Sequence, residues 1–183
     1  TWVAMKNNVV IALFVIFLLL TVLMRSFILP FVIVITVPIA GAGGVMGLVV
    51  LNQFTAQSLD MLTMLGFIIL TGIVVNNSIL MVEQTLWHIK YESMKISEAI
   101  TEATRNRIRP IFMSTLTSLF GLIPLVIFPG SGSELYRGIG TVVFGGLSTS
   151  AILTLLMVPP LLALALKFEK VKPISQTKQE EFI

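Results

Sequence analysis

Cysteine is absent from this 183-residue chain, so it can form no disulfide and offer no thiolate to a metal. His88 is its single histidine. That leaves almost no material for a multi-histidine metal site or a serine–histidine pair. Charge is scarce too: 11% of the residues are charged, against about 25% in an ordinary soluble domain. No Asp or Glu stands in the middle of any long apolar run, although intramembrane ion pathways usually carry a carboxylate. The sequence therefore predicts no catalytic residue, no metal and no cofactor. Its net charge of +3 gives no reason to expect a nucleic-acid partner.

What the chain has is apolar surface. Hydrophobic residues make up 56% of it, and mean hydropathy is +0.98. A particle of this size cannot hide so much apolar area from water, so the chain belongs among membrane lipids. A helix needs about 20 apolar residues to cross the hydrocarbon. Five stretches suit: residues 9–24, 30–51, 61–87, 110–128 and 135–166. The first is slightly short, and the last is long enough for its start to lie at the interface. The fold class expected is an all-α membrane bundle of five spans plus one surface helix. Thr1 in place of a methionine suggests a fragment of a longer protein. Residues 1–8 are then the end of a truncated connection, periplasmic on the topology below.

The basic residues give an orientation. With the N-terminus outside, the inner loops and tail hold Arg25, Lys90, Lys95, Arg105, Arg107, Arg109, Lys167, Lys170, Lys172 and Lys178. The outer side holds only Lys6 and Arg137. The positive-inside rule then predicts an N-out, C-in chain. The stretch "SMKISEAITEATRNRIRP" is too polar to span. Met94, Ile96, Ala99, Ile100 and Ala103 recur at helical spacing, which predicts an amphipathic surface helix over 94–104, with Ser93 or Ser97 as its cap. Pro110 is expected to open the fourth span, where a missing N–H costs nothing. The tail 167–183 is polar and expected to be disordered beyond Pro173.

Small residues four apart predict close helix contacts. Ala40/Gly44 and Gly43/Gly47 lie in the second span, Gly145/Thr149 and Gly146/Ser150 in the fifth. The glycines of "PGSGSE" suit a tight turn; Ser131 and Ser133 have no nearby base.

Two adjacent carboxamides, Asn76 and Asn77, fall in the middle of the third span. An amide without a partner costs several kcal/mol, roughly, in hydrocarbon. They must face other helices or a watery path, as interhelical glue or as a polar relay. The fourth span supplies the other half of a polar seam: Arg105, Arg107 and Arg109 at its mouth, then Ser114, Thr115, Thr117 and Ser118. Hydroxyls in such helices also bond their own preceding carbonyls. Glu83 lies two turns beyond Asn76, near Trp87 and His88, and reads as an interfacial anchor.

"LDMLTMLGFIILTGIVVNNSILMVEQ", followed by "RIRPIFMSTLTSLFGLIPLVIFPGSGSELYRGIGTVVFGGL", resembles the C-terminal membrane segment of resistance–nodulation–division (RND) transporters, closest to their multidrug efflux branch. The resemblance runs from about Met5 to Leu166. It implies the last five of twelve helices, with Arg25-Ser26-Phe27 at the turn between the first two. It also implies a secondary transporter of the bacterial inner membrane, exporting drugs or other amphiphiles by proton antiport. The partners implied are the N-terminal half and periplasmic domains of the same protein, two further copies in a homotrimer, a periplasmic adaptor and an outer-membrane channel. The family's paired membrane aspartates lie in the N-terminal half.

On the resemblance, Asn77 matches a relay asparagine, Arg107 an entrance arginine and Ser114 a relay hydroxyl; Thr115 and Ser118 of the polar seam are candidates for support. Arg109-Pro110 matches a structural motif that starts the span. Asn76 stands where the family's best-studied members carry a lysine. That departure leaves the coupling ion open between proton and sodium. A lipid- or protein-export permease of the same superfamily and a non-transporting membrane scaffold remain alternatives.

Overall fold

The computed structural model describes residues 2–54, 59–127 and 133–168. Among these the chain forms helices only: α1 Trp2–Met24, α2 Ile28–Val34, α3 Thr36–Asn52, α4 Met61–Tyr91, α5 Ile96–Ile127 and α6 Ser133–Phe168. Five segments are long and apolar enough to cross a membrane: Asn7–Met24, Ile28–Asn52, Met61–Tyr91, Ile96–Ile127 and Tyr136–Phe168. The tail beyond Phe168 and the glycine turn with Ser131 lie outside the described residues.

Some differences from the sequence reading have a local reason. The second span begins at Ile28 and is two helices, interrupted at Ile35. Pro38 has no N–H to return to the Val34 carbonyl. Beside that freed carbonyl, the Thr36 hydroxyl donates to the Ile33 carbonyl at 2.6 Å. Ser26 sets the preceding turn: its Oγ accepts from the N–H groups of Ile28 and Leu29 at 3.2 and 3.3 Å, while Arg25 takes a left-handed φ of 50°.

The surface helix and the fourth span form one continuous rod, α5, with Pro110 and Pro124 inside it. Pro110 therefore does not open a helix. Nor does a serine cap its start, because the Ala99 N–H bonds the Lys95 carbonyl at 2.9 Å. Ala99, Ile100 and Ala103 are buried against the bundle, so this segment docks on protein and carries its helical geometry onward. The turn before it is tight. Ser93 has a φ of 52°, and the His88 carbonyl accepts from both Glu92 and Met94 N–H groups.

α6 is the hub of the packing. It lies against α2, α3, α4 and α5, and small residues bring it within backbone distance of its neighbours. A Cβ added at Gly145 would stand 2.7 Å from the Gly43 carbonyl oxygen and 2.9 Å from Gly47 Cα. One added at Gly47 would meet the Thr141 carbonyl at 2.9 Å. Gly43 abuts Thr149, and Gly146 abuts Leu70 of α4. Lipid supplies no hydrophobic force between helices, so dispersion at such contacts has to hold the bundle. Around this seam Ala40, Leu48, Leu70, Val74, Val142 and Leu147 form one apolar cluster. A second cluster, centred on Ile33, Met81, Val82, Leu162 and Leu166, holds the other end. α1 is the exception: it packs on α2 and leaves Leu19, Val22 and Leu23 exposed.

Asp60 starts α4 as an N-cap. Its carboxylate accepts from the Thr63 N–H at 2.8 Å and the Thr63 hydroxyl at 2.6 Å. Those bonds, the hydroxyl's first, hold its pKa below the usual 3.8. A lowered carboxylate pKa stabilises the fold above the unfolded value, and the contribution is lost as pH falls through the folded value.

Two measurements check this packing. Gly145→Ala should lower stability by about 1–3 kcal/mol through overpacking, whereas Gly41→Ala, whose methyl meets nothing within 4 Å, should change it little; thermal unfolding in detergent compares them. Asp60→Ala should cost about 1 kcal/mol, and the gap between it and the parent should close as pH drops below 3.8.

Candidate polar site between α4 and α5

Asn76, Asn77 and Leu80 occupy one side of α4, at positions i, i+1 and i+4. Arg107, Pro110, Ile111 and Ser114 occupy one face of α5, at i, i+3, i+4 and i+7. Where the helices meet, these seven residues line a cleft of about 230 Å³. The four residues of the sequence-level relay, Asn76, Asn77, Arg107 and Ser114, thus share one cavity. Thr115 and Ser118 do not line it: Thr115 is buried on the bundle side of α5 and Ser118 is exposed one turn on. Glu83 lines a different groove, with Trp87.

The hydrogen bonding of the cleft is incomplete. The Ser114 hydroxyl donates to the Ile111 carbonyl of its own helix at 3.1 Å, which leaves its lone pairs to the cavity. Asn77 is half-buried and Asn76 exposed. Neither carboxamide is hydrogen-bonded among the described residues. Arg107 Nε is buried without an acceptor. A guanidinium stays charged at any working pH, and its partial burial is costly without an anion. No carboxylate lines the cleft. Among the described residues no cluster of His, Cys, Asp or Glu could hold a metal.

Elsewhere the buried hydroxyls are satisfied locally. Thr85 donates to the Met81 carbonyl at 2.9 Å and Thr141 to the Arg137 carbonyl at 2.8 Å. One interhelical polar contact was not foreseen. Thr36, at the α2–α3 break, lies 3.2 Å from Ser78, with both side chains buried. Ser78 directly follows the two asparagines but points the other way, into the bundle. The helical turn explains this: Asn76 and Ser78 differ by 200° around the axis at 100° per residue. The signal in the sequence was Thr36 before Pro38, which marks a hydroxyl beside a freed carbonyl.

α4 is therefore two-sided at this level. One side is pinned to the bundle by Ser78, Val74 and Val75. The other presents amides toward an arginine on a long, poorly covered helix. A family model for the AcrB/AcrD/AcrF family matches residues 4–165. The match covers nearly all of the described helices, and the chain belongs to the AcrB/AcrD/AcrF family of RND permeases, of which it is a membrane part.

Proposed function

We propose that this chain supplies the C-terminal half of the ion relay in a proton-driven efflux permease that exports drugs or other amphiphiles. The observation that carries the reading is the α4–α5 cleft. It gathers two carboxamides without hydrogen bonds, a buried guanidinium Nε without an acceptor and a hydroxyl. Such a set fits carboxylates brought by the N-terminal half of the same protein. Ionised, they accept from Arg107 and both amides; protonated, they lose the charge that attracts Arg107 and become donors to the amide oxygens. Two hydrogen-bond patterns in one cavity make the two-state element that transport needs.

Asn76 shapes this cycle. A lysine would bring its own charge, so the acids would be neutralised in either state. An amide is neutral, and Arg107 is then the only fixed positive charge lining the cleft. A bound cation has to do the neutralising that a lysine would otherwise share. A proton is favoured over sodium as that cation, because only protonation turns the acids into hydrogen-bond donors to the amide oxygens.

The distribution of Lys and Arg supports an N-out, C-in orientation in the inner membrane, with Arg107 toward the cytoplasm. The working assembly proposed is a homotrimer with periplasmic domains, an adaptor and an outer-membrane channel.

In the full-length protein, Asn77→Ala and Arg107→Ala should each cut drug export about tenfold or more, the scale of a lost charge-assisted hydrogen bond, while trimers stay intact by size-exclusion chromatography. Unchanged drug resistance in both variants would refute the relay. In proteoliposomes a pH gradient without sodium should drive export and a sodium gradient at equal pH should not. Export driven by sodium alone would overturn the proton reading.

A further inference from the structure

A second cavity, of about 490 Å³, lies between the end of α1 and the last turns of α4. Its size falls within the roughly 300–1,000 Å³ of ligand-binding clefts, and it is larger than the relay cleft. Three charged residues line it: Arg25, Glu83 and Lys90. None is in an ion pair. The only pair within ion-pair distance among the described residues, His88 Nδ1 and Glu92 Oε2 at 2.6 Å, includes none of them. Trp87 and Tyr91 also line it, half-exposed, with ring centroids 5.9 Å apart.

We propose that this groove binds the headgroup of an aminophospholipid, a lipid carrying a phosphodiester and a primary ammonium. The charges choose the ligand. Two cations suit the phosphodiester, with Arg25 offering a fork and Lys90 a point charge. One carboxylate, Glu83, suits the ammonium. An anionic lipid without an amine leaves Glu83 facing negative charge. A choline lipid offers Glu83 no N–H.

The surroundings choose a lipid over a soluble phosphate. Trp87 and Tyr91 are the residue types that settle at headgroup depth. Apolar Leu23, Ile79 and Leu86 share the lining. It continues onto the bare apolar flank of α1, where Leu19 and Val22 are 61% and 79% exposed. Acyl chains can follow that flank while the headgroup stays in the groove. The orientation proposed above puts the headgroup in the cytoplasmic leaflet; the ligand chemistry does not depend on it.

Native mass spectrometry of the full-length protein, with dioleoyl phosphatidylethanolamine, phosphatidylglycerol and phosphatidylcholine added at equal concentration, tests the proposal. The ethanolamine lipid should be held tightest. The Arg25→Ala/Lys90→Ala double variant should weaken it about tenfold, and Arg25→Lys/Lys90→Arg should restore most of it, which separates lost charge from lost fold. Glu83→Gln should weaken the ethanolamine lipid about threefold and spare phosphatidylglycerol. Equal binding of the three lipids, tightest binding of phosphatidylglycerol, or full retention of the ethanolamine lipid by the alanine double variant would each overturn it. Export is not the readout, so failure here leaves the relay reading standing.

Discussion

The backbone contact between α3 and α6 is the constraint on which the rest of the bundle depends. Gly43 and Gly47 on one helix and Gly145 on the other allow an approach that no side chain would permit. In water a hydrophobic core could be filled by many residues of about the right size. In lipid the gain comes from contact itself, and only small residues let two backbones share it. Once α6 is fixed against α3, Gly146 and Gly66 bring in α4 through Leu70 and Ile139, and Gly140 brings in α5 through Leu125. The position of the polar cleft between α4 and α5 follows from how those two helices seat on α6.

Against that packed seam, polar groups are placed with economy. Most hydroxyls bond a carbonyl one turn back and ask nothing of their neighbours, as Thr71, Thr85 and Thr149 do. The Thr36–Ser78 contact is spent on the α2–α3 break, where Pro38 frees a carbonyl. Buried side-chain atoms without a partner are Arg107 Nε in the cleft and, elsewhere, His88 Nε2 and Arg137 Nε. The cleft differs in setting such an atom beside two amides that make no hydrogen bond, whereas the hydroxyls elsewhere are satisfied where they stand.

Much of this was legible in the sequence, because membrane folding rests on few rules. Apolar runs of the right length mark the spans, and spacing of four marks where glycines meet. Helical periodicity puts Asn76, Asn77, Arg107 and Ser114 on faces that can converge. What was not legible came from local competition. Pro110 reads as a helix start, since that is where its missing N–H costs least, yet Ala99, Ile100 and Ala103 dock the preceding turns and the helix runs through it. The α2–α3 break at Ile35 lies inside a long apolar run and is marked only by Thr36 and Pro38. Thr115 and Ser118 are the same residue types as Ser114 but lie outside the cleft, because sequence gives the angle between residues on a helix and not where the partner helix sits. Ser78 was passed over for the converse reason: it neighbours Asn77 in sequence and opposes Asn76 in space.

The unbroken course of α5 has a mechanical consequence. Its 32 residues make a rod about 48 Å long at 1.5 Å per residue, fastened at one end by Ala99, Ile100 and Ala103 and touched in the middle by the cleft. Its other end is held as well, where Leu125 and Val126 pack on Gly140 of α6. A rod held near both ends acts as a strut. The proposed relay cleft therefore sits on a helix anchored on either side of it.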